Sequence, residues 1–314
     1  MTLEHQPLRS VDVSVVIPAY QAGDTIGRAL DSVLNQAAKP GEIIVVDDGS
    51  SDRTVGIVEE YISASLTIVV RMIRQENLGA GAARNRGLAA AIHPLVAFLD
   101  ADDEWLPDKL ARSIDVLAGE NADFVAHDFL RLEGDAQAYI SCARHFSRRP
   151  DPFVDYFLRG YIGTSTVVAR RQTLLDSGGF DPTLRSGQDY ELWLSVIGAP
   201  DTRHHVFAEA LTKYHVTSNS ITSQVGLRHE AAVRILYRHL PALKGNTRWP
   251  RGIGMLRAVI VCVQAAQAHR GVGNYAAAIA AILRIPIHVI SIIRYRMDRP
   301  FRRPDFISRD EAEE

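Results

Sequence analysis

The sequence is poor in cysteine. Cys142 and Cys262 are the only two in 314 residues. They stand far apart and form neither a metal-ligand spacing nor a disulfide framework, which fits a reducing compartment. An excess of charge of one sign is also missing: 35 Lys and Arg stand against 37 Asp and Glu, a net charge of −2. No global field therefore calls for nucleic acid. Long apolar runs are absent too. Residues 253–268 and 274–297 are apolar, but Arg257, Arg270, Arg284, Pro286 and His288 interrupt the region. No stretch reaches the roughly 18–20 uninterrupted apolar residues expected of a spanning helix. The N-terminus MTLEHQPLRSVD is polar and short, so no signal peptide is expected there. Internal repeats and low-complexity tracts are lacking. What is left is ordinary globular composition, long enough for one large domain plus an appendage, or for two domains.

The first half alternates strand and helix. Residues 13–17 read as a buried strand stopped by Pro18. Asp24 is placed to cap a helix with Ile26, Leu30, Val33 and Leu34 on one face. Pro40-Gly41 reads as a turn before a second strand, 42–46, which ends in Asp47-Asp48-Gly49-Ser50. Ser51 or Asp52 can cap a helix bearing Val55, Val58 and Ile62. Residues 66–73 are a third strand, 80–91 a small-residue helix and 95–99 a fourth strand. Such alternation predicts an α/β fold, a Rossmann-like, mostly parallel sheet with helices on both faces. Ligands of such sheets bind beyond the strands' carboxyl ends, where Tyr20, Asp47, Asp48, Asp100 and Asp102 collect. Further on, 123–130 reads as a strand, 131–152 as a mobile loop and 163–169 as strand-like. Residues 171–177 form a short helix ended by Gly178-Gly179, and 188–197 another. From about Leu227 the chain turns helical. The expected division is 1–226 as one domain and 227–314 as a helical extension. The extension lies on an anionic membrane surface, or packs on the first domain or on a second subunit.

Five motifs and a histidine segment carry candidate chemistry. VSVVIPAYQ leaves a strand end where backbone groups at Pro18, Ala19 and Tyr20 can meet a planar base, or it is only a turn after a core strand. In VVDDGSSDRT, Asp48 can accept from a base or a ribose hydroxyl, Asp47 can stabilise the loop, and the cluster also reads as helix capping. In RQENLGAGAARNRG, Gly79 and Gly81 permit close backbone approach, and Arg84 and Arg86 can meet a diphosphate. No G-K-[ST] follows to make a Walker loop, and no G-x-G-x-x-G follows the first strand. LVAFLDADDEW drives an apolar strand into Asp100, Asp102 and Asp103. Carboxylates there must stay solvated, find partners or hold a cation, and D-x-D suits Mg²⁺ or Mn²⁺ carrying a substrate diphosphate. In GTSTVVARRQTLLDSGGFDPTLRSGQDYELWL, Asp189 opens a helix whose dipole favours a carboxylate. It is a general-base candidate if the fold brings it opposite the metal site. In KYHVTSNSIT, His215, Ser218 and Ser220 can reach a diphosphate or a metal, or are surface residues.

Taken together, in this order and spacing, the motifs resemble family 2 glycosyltransferases of the GT-A fold, from Val13 through about Ser220. The resemblance implies an inverting transferase that moves a sugar from a nucleotide-activated donor, a UDP-sugar in the first instance, to an acceptor hydroxyl. It implies roles at the donor for Pro18, Ala19, Tyr20, Asp48, Gly79, Arg84, Asp100 and Asp102, a metal on Asp102 with His215, and Asp189 as base. The family's E-D pair reads Gln188-Asp189 here, so the first acid is missing. A glycan or lipid-linked acceptor in cell-surface polysaccharide synthesis follows by analogy, with a cytoplasmic location, peripheral on the inner face of the plasma membrane. A homo-oligomer is compatible with the tail. Two rivals stand beside this reading: a non-catalytic nucleotide-sugar binding protein with the same fold, and a haloacid-type phosphatase. The phosphatase usually has a Thr after D-x-D, where this chain has Asp103-Glu104-Trp105.

Overall fold

A computed structural model describes residues 10–65, 67–146, 151–216, 225–298, 304 and 306–307. Strands β1 (Ser10–Ala19), β2 (Lys39–Asp47), β3 (Val69–Arg74) and β4 (Leu95–Phe98) are mutually parallel, β1 lying between β2 and β4. A two-residue strand, β5 (Glu104–Trp105), follows. Next come β6 (Phe124–His127), β7 (Phe129–Glu133), β8 (Ala136–Ile140), β9 (Val168–Arg170), β10 (His204–Phe207) and β11 (Thr212–His215). The main sheet has seven strands in the order β10-β6-β9-β4-β1-β2-β3, and a second sheet has the order β5-β11-β7-β8. In the main sheet β9 is antiparallel to both neighbours, so the sheet is mixed.

The central strands are apolar on both faces because helices cover both. The period-two alternation sorts them cleanly. Val16, Ile44, Val46, Phe98 and Phe124 pack on one face against Ala83 and Leu88 of the helix Ala80–Ala90 and Trp193 of the helix Gln188–Gly198. Val15, Ile17, Ile43, Val45 and Ala97 pack on the other against Leu30, Val33, Leu110 and Leu117, from the helices Ile26–Leu34 and Lys109–Gly119.

Several local expectations change. β1 continues through Pro18 to Ala19, and Pro40-Gly41 lies inside β2 rather than in a turn, beside a register shift in β1. Asp24 does not cap: Thr25 is the N-cap residue, and the exposed Asp24 pairs with Arg53 at 2.6 Å. The expected strand 123–130 breaks at Asp128, so that β6 enters the main sheet and β7 the second. The expected loop 131–152 is instead the β7–β8 hairpin and a helix, Cys142–Phe146, and residues 147–150 lie outside the described residues. Residues 163–169 hold a 3-10 turn, Thr164–Thr166, before β9.

The tail is helical, as expected. The helix Val225–His239 contributes Ile235 and Leu236 to the first core face, and Pro250–Gly271 contributes Ala258. Arg257 is buried and donates from Nη1 to the Leu158 carbonyl at 2.8 Å. The helices Tyr275–Leu283 and Ile285–Arg294 differ from expectation. Only Arg284 separates them, and Pro286 sits in a first turn, where a missing N–H costs little. Residues 275–294 thus form one 20-residue helical stretch, in which an 18-residue window has a mean hydropathy of 2.1 and is only 11% buried, long and apolar enough by composition to cross a membrane.

Candidate active site

Parallel strands present their carboxyl ends on one side, and the polar groups gather there. Pro18 and Ala19 are buried at the end of β1, while Tyr20 is 52% exposed. Asp47 and Asp48 follow β2, both buried. Asp47 accepts from Ser50 N–H at 3.2 Å and from Arg74 Nε at 3.3 Å, the loop-holding role expected of it. Asp48 also holds protein. Its Oδ1 accepts from Gln75 Nε2 at 2.7 Å and Leu78 N–H at 2.9 Å, and its Oδ2 accepts from Gly79 N–H at 2.8 Å. This ties the loop 75–79 to the β2 end. Gly79 opens the helix Ala80–Ala90 at φ 91°, a left-handed value that favours glycine.

Arg84 lies one turn into that helix, almost wholly buried. Its Nη2 donates to Asp100 Oδ1 at 2.6 Å, and its guanidinium lies 5.4 Å from the Phe180 ring centre. Burial opposes its charge, but Asp100, then Asp189 and Asp102, outweigh that and raise its pKa. The Arg84 charge is thus felt by the D-x-D carboxylates and by Asp189, and only Asp100 is in direct contact with it.

Asp103 has a separate task. It is buried, accepts from Ser165 Oγ at 2.5 Å and from His215 N–H at 3.2 Å, and so joins the 3-10 turn to β11. Ser165 Oγ in turn accepts from Asp100 N–H at 3.1 Å. Burial, followed by the charges of Asp100 and Asp102, pushes the Asp103 carboxyl well up.

Asp189 sits in the first turn of the helix Gln188–Gly198, half-buried. Its Oδ2 accepts from Thr164 Oγ1 at 3.2 Å, and its Oδ1 from Tyr190 N–H at 2.8 Å. Burial raises its pKa, the Arg84 charge pulls it back, and Asp100 adds to the rise. Asp189 therefore stays a candidate general base, a raised carboxyl under the influence of Arg84 and Asp100. Gln188 does not join it: the side chain is buried and donates to the Leu184 carbonyl at 2.6 Å.

The His215 ring faces Glu104, with Nε2 to Oε2 at 3.7 Å, too long for a hydrogen bond. Burial and then the Arg28 charge lower its pKa, which favours the neutral, ligating form. Ser218 and Ser220 lie outside the described residues. Among the described residues no group of three or more His, Cys, Asp or Glu is arranged to hold a metal. Among the described residues, then, a cation enclosed by protein ligands alone has no ready set of ligands. A cation held by one or two carboxylates and completed by substrate phosphates fits, because Asp100 and Asp102 leave the end of β4 only half-buried.

Thr164, Ser165 and Tyr214 were not singled out from the sequence. The Tyr214 hydroxyl is pushed up to about 12, by burial and then by the charges of Asp103, Asp100, Asp102 and Asp189. The overlooked signal was three consecutive hydroxyl residues, Thr164-Ser165-Thr166, all buried and therefore in need of partners.

Comparison with known proteins agrees with this geometry. A sequence model of Glycosyl transferase family 2 matches residues 14–172. The chain belongs to that family. It is a glycosyltransferase. It is 33% identical over 214 residues to the putative teichuronic acid biosynthesis glycosyltransferase TuaG of Bacillus subtilis, covering 67% of this chain and 81% of that protein. It is 30% identical over 272 residues to the succinoglycan biosynthesis protein ExoO of Rhizobium meliloti, covering 81% of this chain and 77% of that one. In fold it is similar to the mannosyltransferase PcManGT of Pyrobaculum calidifontis, solved with GDP-Man and Mn²⁺, at a TM-score of 0.61 and 18% identity, over 90% of this chain and 86% of that one. It is likewise similar to S. aureus TarS 1-349 in complex with UDP-GlcNAc, at a TM-score of 0.58 and 20% identity, over 92% and 93%.

Proposed function

We propose that this glycosyltransferase moves a sugar from a nucleoside-diphosphate sugar, a UDP-sugar in the first instance, to an acceptor hydroxyl by a single inverting displacement. The carrying observation is electrostatic. Asp100 pairs with Arg84 at 2.6 Å, and the charges of Asp189 and Asp102 also act on that guanidinium. A diphosphate cannot approach such an excess of carboxylate without an added cation. Asp102, assisted by Asp100, would hold Mn²⁺ or Mg²⁺ with the donor, and His215 is the candidate further ligand. The bound cation would neutralise the charge of the departing diphosphate.

Asp189 takes the acceptor proton at its carboxylate, and Thr164 keeps that carboxylate oriented. Arg84 holds Asp100 in place and offsets part of the acidic charge. Pro18, Ala19 and Tyr20 frame the base of the nucleotide. Asp48 and Gly79 set the loop beside it, and Asp48 meets the ribose or base with its remaining acceptor capacity. In this reading residues 1–226 form the transferase domain and 227–314 its helical extension. The acceptor is a glycan or a lipid-linked glycan of a cell-surface polysaccharide, reached from the cytoplasmic face of a membrane. TuaG and ExoO, named for polysaccharide synthesis, support that choice of acceptor.

The test is a panel of nucleotide sugars with Mn²⁺. A matching donor raises the melting temperature and is slowly hydrolysed in a metal-dependent way. Asp189→Asn should abolish transfer while leaving donor-induced stabilisation intact. The base works unprotonated, so the wild-type rate should rise with pH through a value above the ordinary 3.8. Near-normal transfer by Asp189→Asn would remove Asp189 from this role. Donor binding without turnover in any acceptor assay would favour a binding protein.

A further inference from the structure

We infer that the helices Tyr275–Leu283 and Ile285–Arg294 form a docking surface for an anionic lipid bilayer, lying in the plane of its headgroups. This goes beyond the transfer chemistry and does not depend on it. Ile279 (62% exposed), Leu283 (66%), Ile287 (61%), Ile290 (50%) and Ile293 (55%) recur every three or four residues, and so line one outward face. The opposite side, through Ala281 and Ile292, is buried. A soluble surface rarely keeps so continuous an apolar stripe in water. Tyr275 at one end is 64% exposed, an aromatic of the kind that sits at headgroup level.

Charge selects the occupant. Residues 231–297 contain ten Lys and Arg and no Asp or Glu, in a chain whose net charge is −2. Arg270, Arg284, Arg294 and Arg296 are all exposed and flank or punctuate the stripe. Their stems can lie along the apolar face while their heads reach lipid phosphates. A second copy of the chain is a poor fit, because a two-fold contact would set these arginines against their own copies. Insertion across the bilayer is also a poor fit. Arg284 would lie near mid-span, where a charge is costly, and the second helix is pinned to the protein. Tyr237 Oη lies 3.0 Å from His288 Nδ1, and Tyr295 Oη donates to the Tyr237 carbonyl at 3.1 Å.

The test floats the full-length chain with vesicles of phosphatidylcholine alone and with vesicles in which about one third of the lipid is phosphatidylglycerol. The chain should float with the anionic vesicles, and high salt should weaken this. Leu283→Glu with Ile287→Glu, both at exposed positions, should lower the bound fraction about tenfold or more. The thermal melt and donor hydrolysis should stay unchanged, so a failure of docking is separable from a failure of the transferase reading. Arg284→Gln with Arg294→Gln should reduce the preference for anionic lipid. Unchanged flotation of the Glu variant would overturn the proposal, as would equal flotation on neutral vesicles. So would light scattering that shows a dimer dissolved by the Glu substitutions with no flotation of either form. Resistance to alkaline carbonate extraction would mean a spanning helix and overturn it as well.

Discussion

Asp48 offers the sharpest separation between holding the protein and touching the ligand. Its carboxylate accepts from Gln75 Nε2, Leu78 N–H and Gly79 N–H at 2.7–2.9 Å, and the residue is 3% exposed. Asp48→Asn keeps the shape but replaces one oxygen by a donor. With the amide oxygen kept toward Gln75 and Leu78, the new NH₂ group points at Gly79 N–H, donor against donor. One hydrogen bond to a charged acceptor is lost, worth about 1.5–3 kcal/mol, and the part-buried Gly79 N–H is left facing a donor, at a further cost of about 1 kcal/mol. Net destabilisation should be about 3 kcal/mol, or a melting temperature lower by about 5–10 °C in a chain of this size. The loop 75–79 and the start of the helix that carries Arg84 should loosen together, so donor affinity falls with stability. Thermal melts with and without donor, read beside amide hydrogen exchange of residues 75–84, measure both. A variant that melts within about 1 °C of wild type, yet has lost donor affinity, would refute the loop-holding argument and leave direct nucleotide contact as the role of Asp48.

Two further outcomes follow from the packing and the charges. Asp103 binds its proton more tightly folded than unfolded, so its contribution to stability is greatest below the ordinary 3.8 and is lost as pH rises through its raised folded value. Asp103→Asn should therefore flatten the pH dependence of the melting temperature above the ordinary 3.8, and an unchanged slope would assign that dependence elsewhere. Gly87→Ala should destabilise by about 1–3 kcal/mol, because a Cβ there would lie 2.3 Å from Cγ1 of the fully buried Val16 in β1. A chemical melt that shows no loss would mean that β1 and the helix Ala80–Ala90 can separate freely.

Much of the first half was legible because it is local. Apolar runs bounded by Asp, Gly and Pro marked the parallel strands within a few residues, and the acids at their ends followed from chain order alone. The second sheet was not legible. It joins β5 to β11 and β11 to β7, segments far apart in sequence, and β5 is only two residues long. Its effect on the site was therefore hidden, including the hydrogen bond from His215 N–H to Asp103 and the influence of the carboxylate charges on Tyr214. The continuity of the helical stretch 275–294 was hidden for a different reason. Counting uninterrupted apolar residues stops at Arg284, whereas a helix carries a single arginine at an exposed position without ending.

The three acids after β4 show how neighbours of one chemical type come to do different work. Asp100, Asp102 and Asp103 lie within four residues, so sequence alone treats them nearly alike. Tertiary partners divide them. Asp100 meets Arg84 from a helix that follows β3. Asp103 turns inward to Ser165 and to the backbone of β11. The Asp102 carbonyl is held by Arg28 Nη2 at 2.6 Å, which fixes the backbone of the segment from the opposite side of the sheet. Asp102 itself is half-buried, with Asp100 and Asp103 on either side of it in the segment. On the proposed reading Asp102 meets the substrate-borne cation, and its position depends on Arg28, Arg84 and Ser165 together. Loss of any one of these should disturb the cation site through the shape of the turn, even where the Asp102 side chain itself is intact.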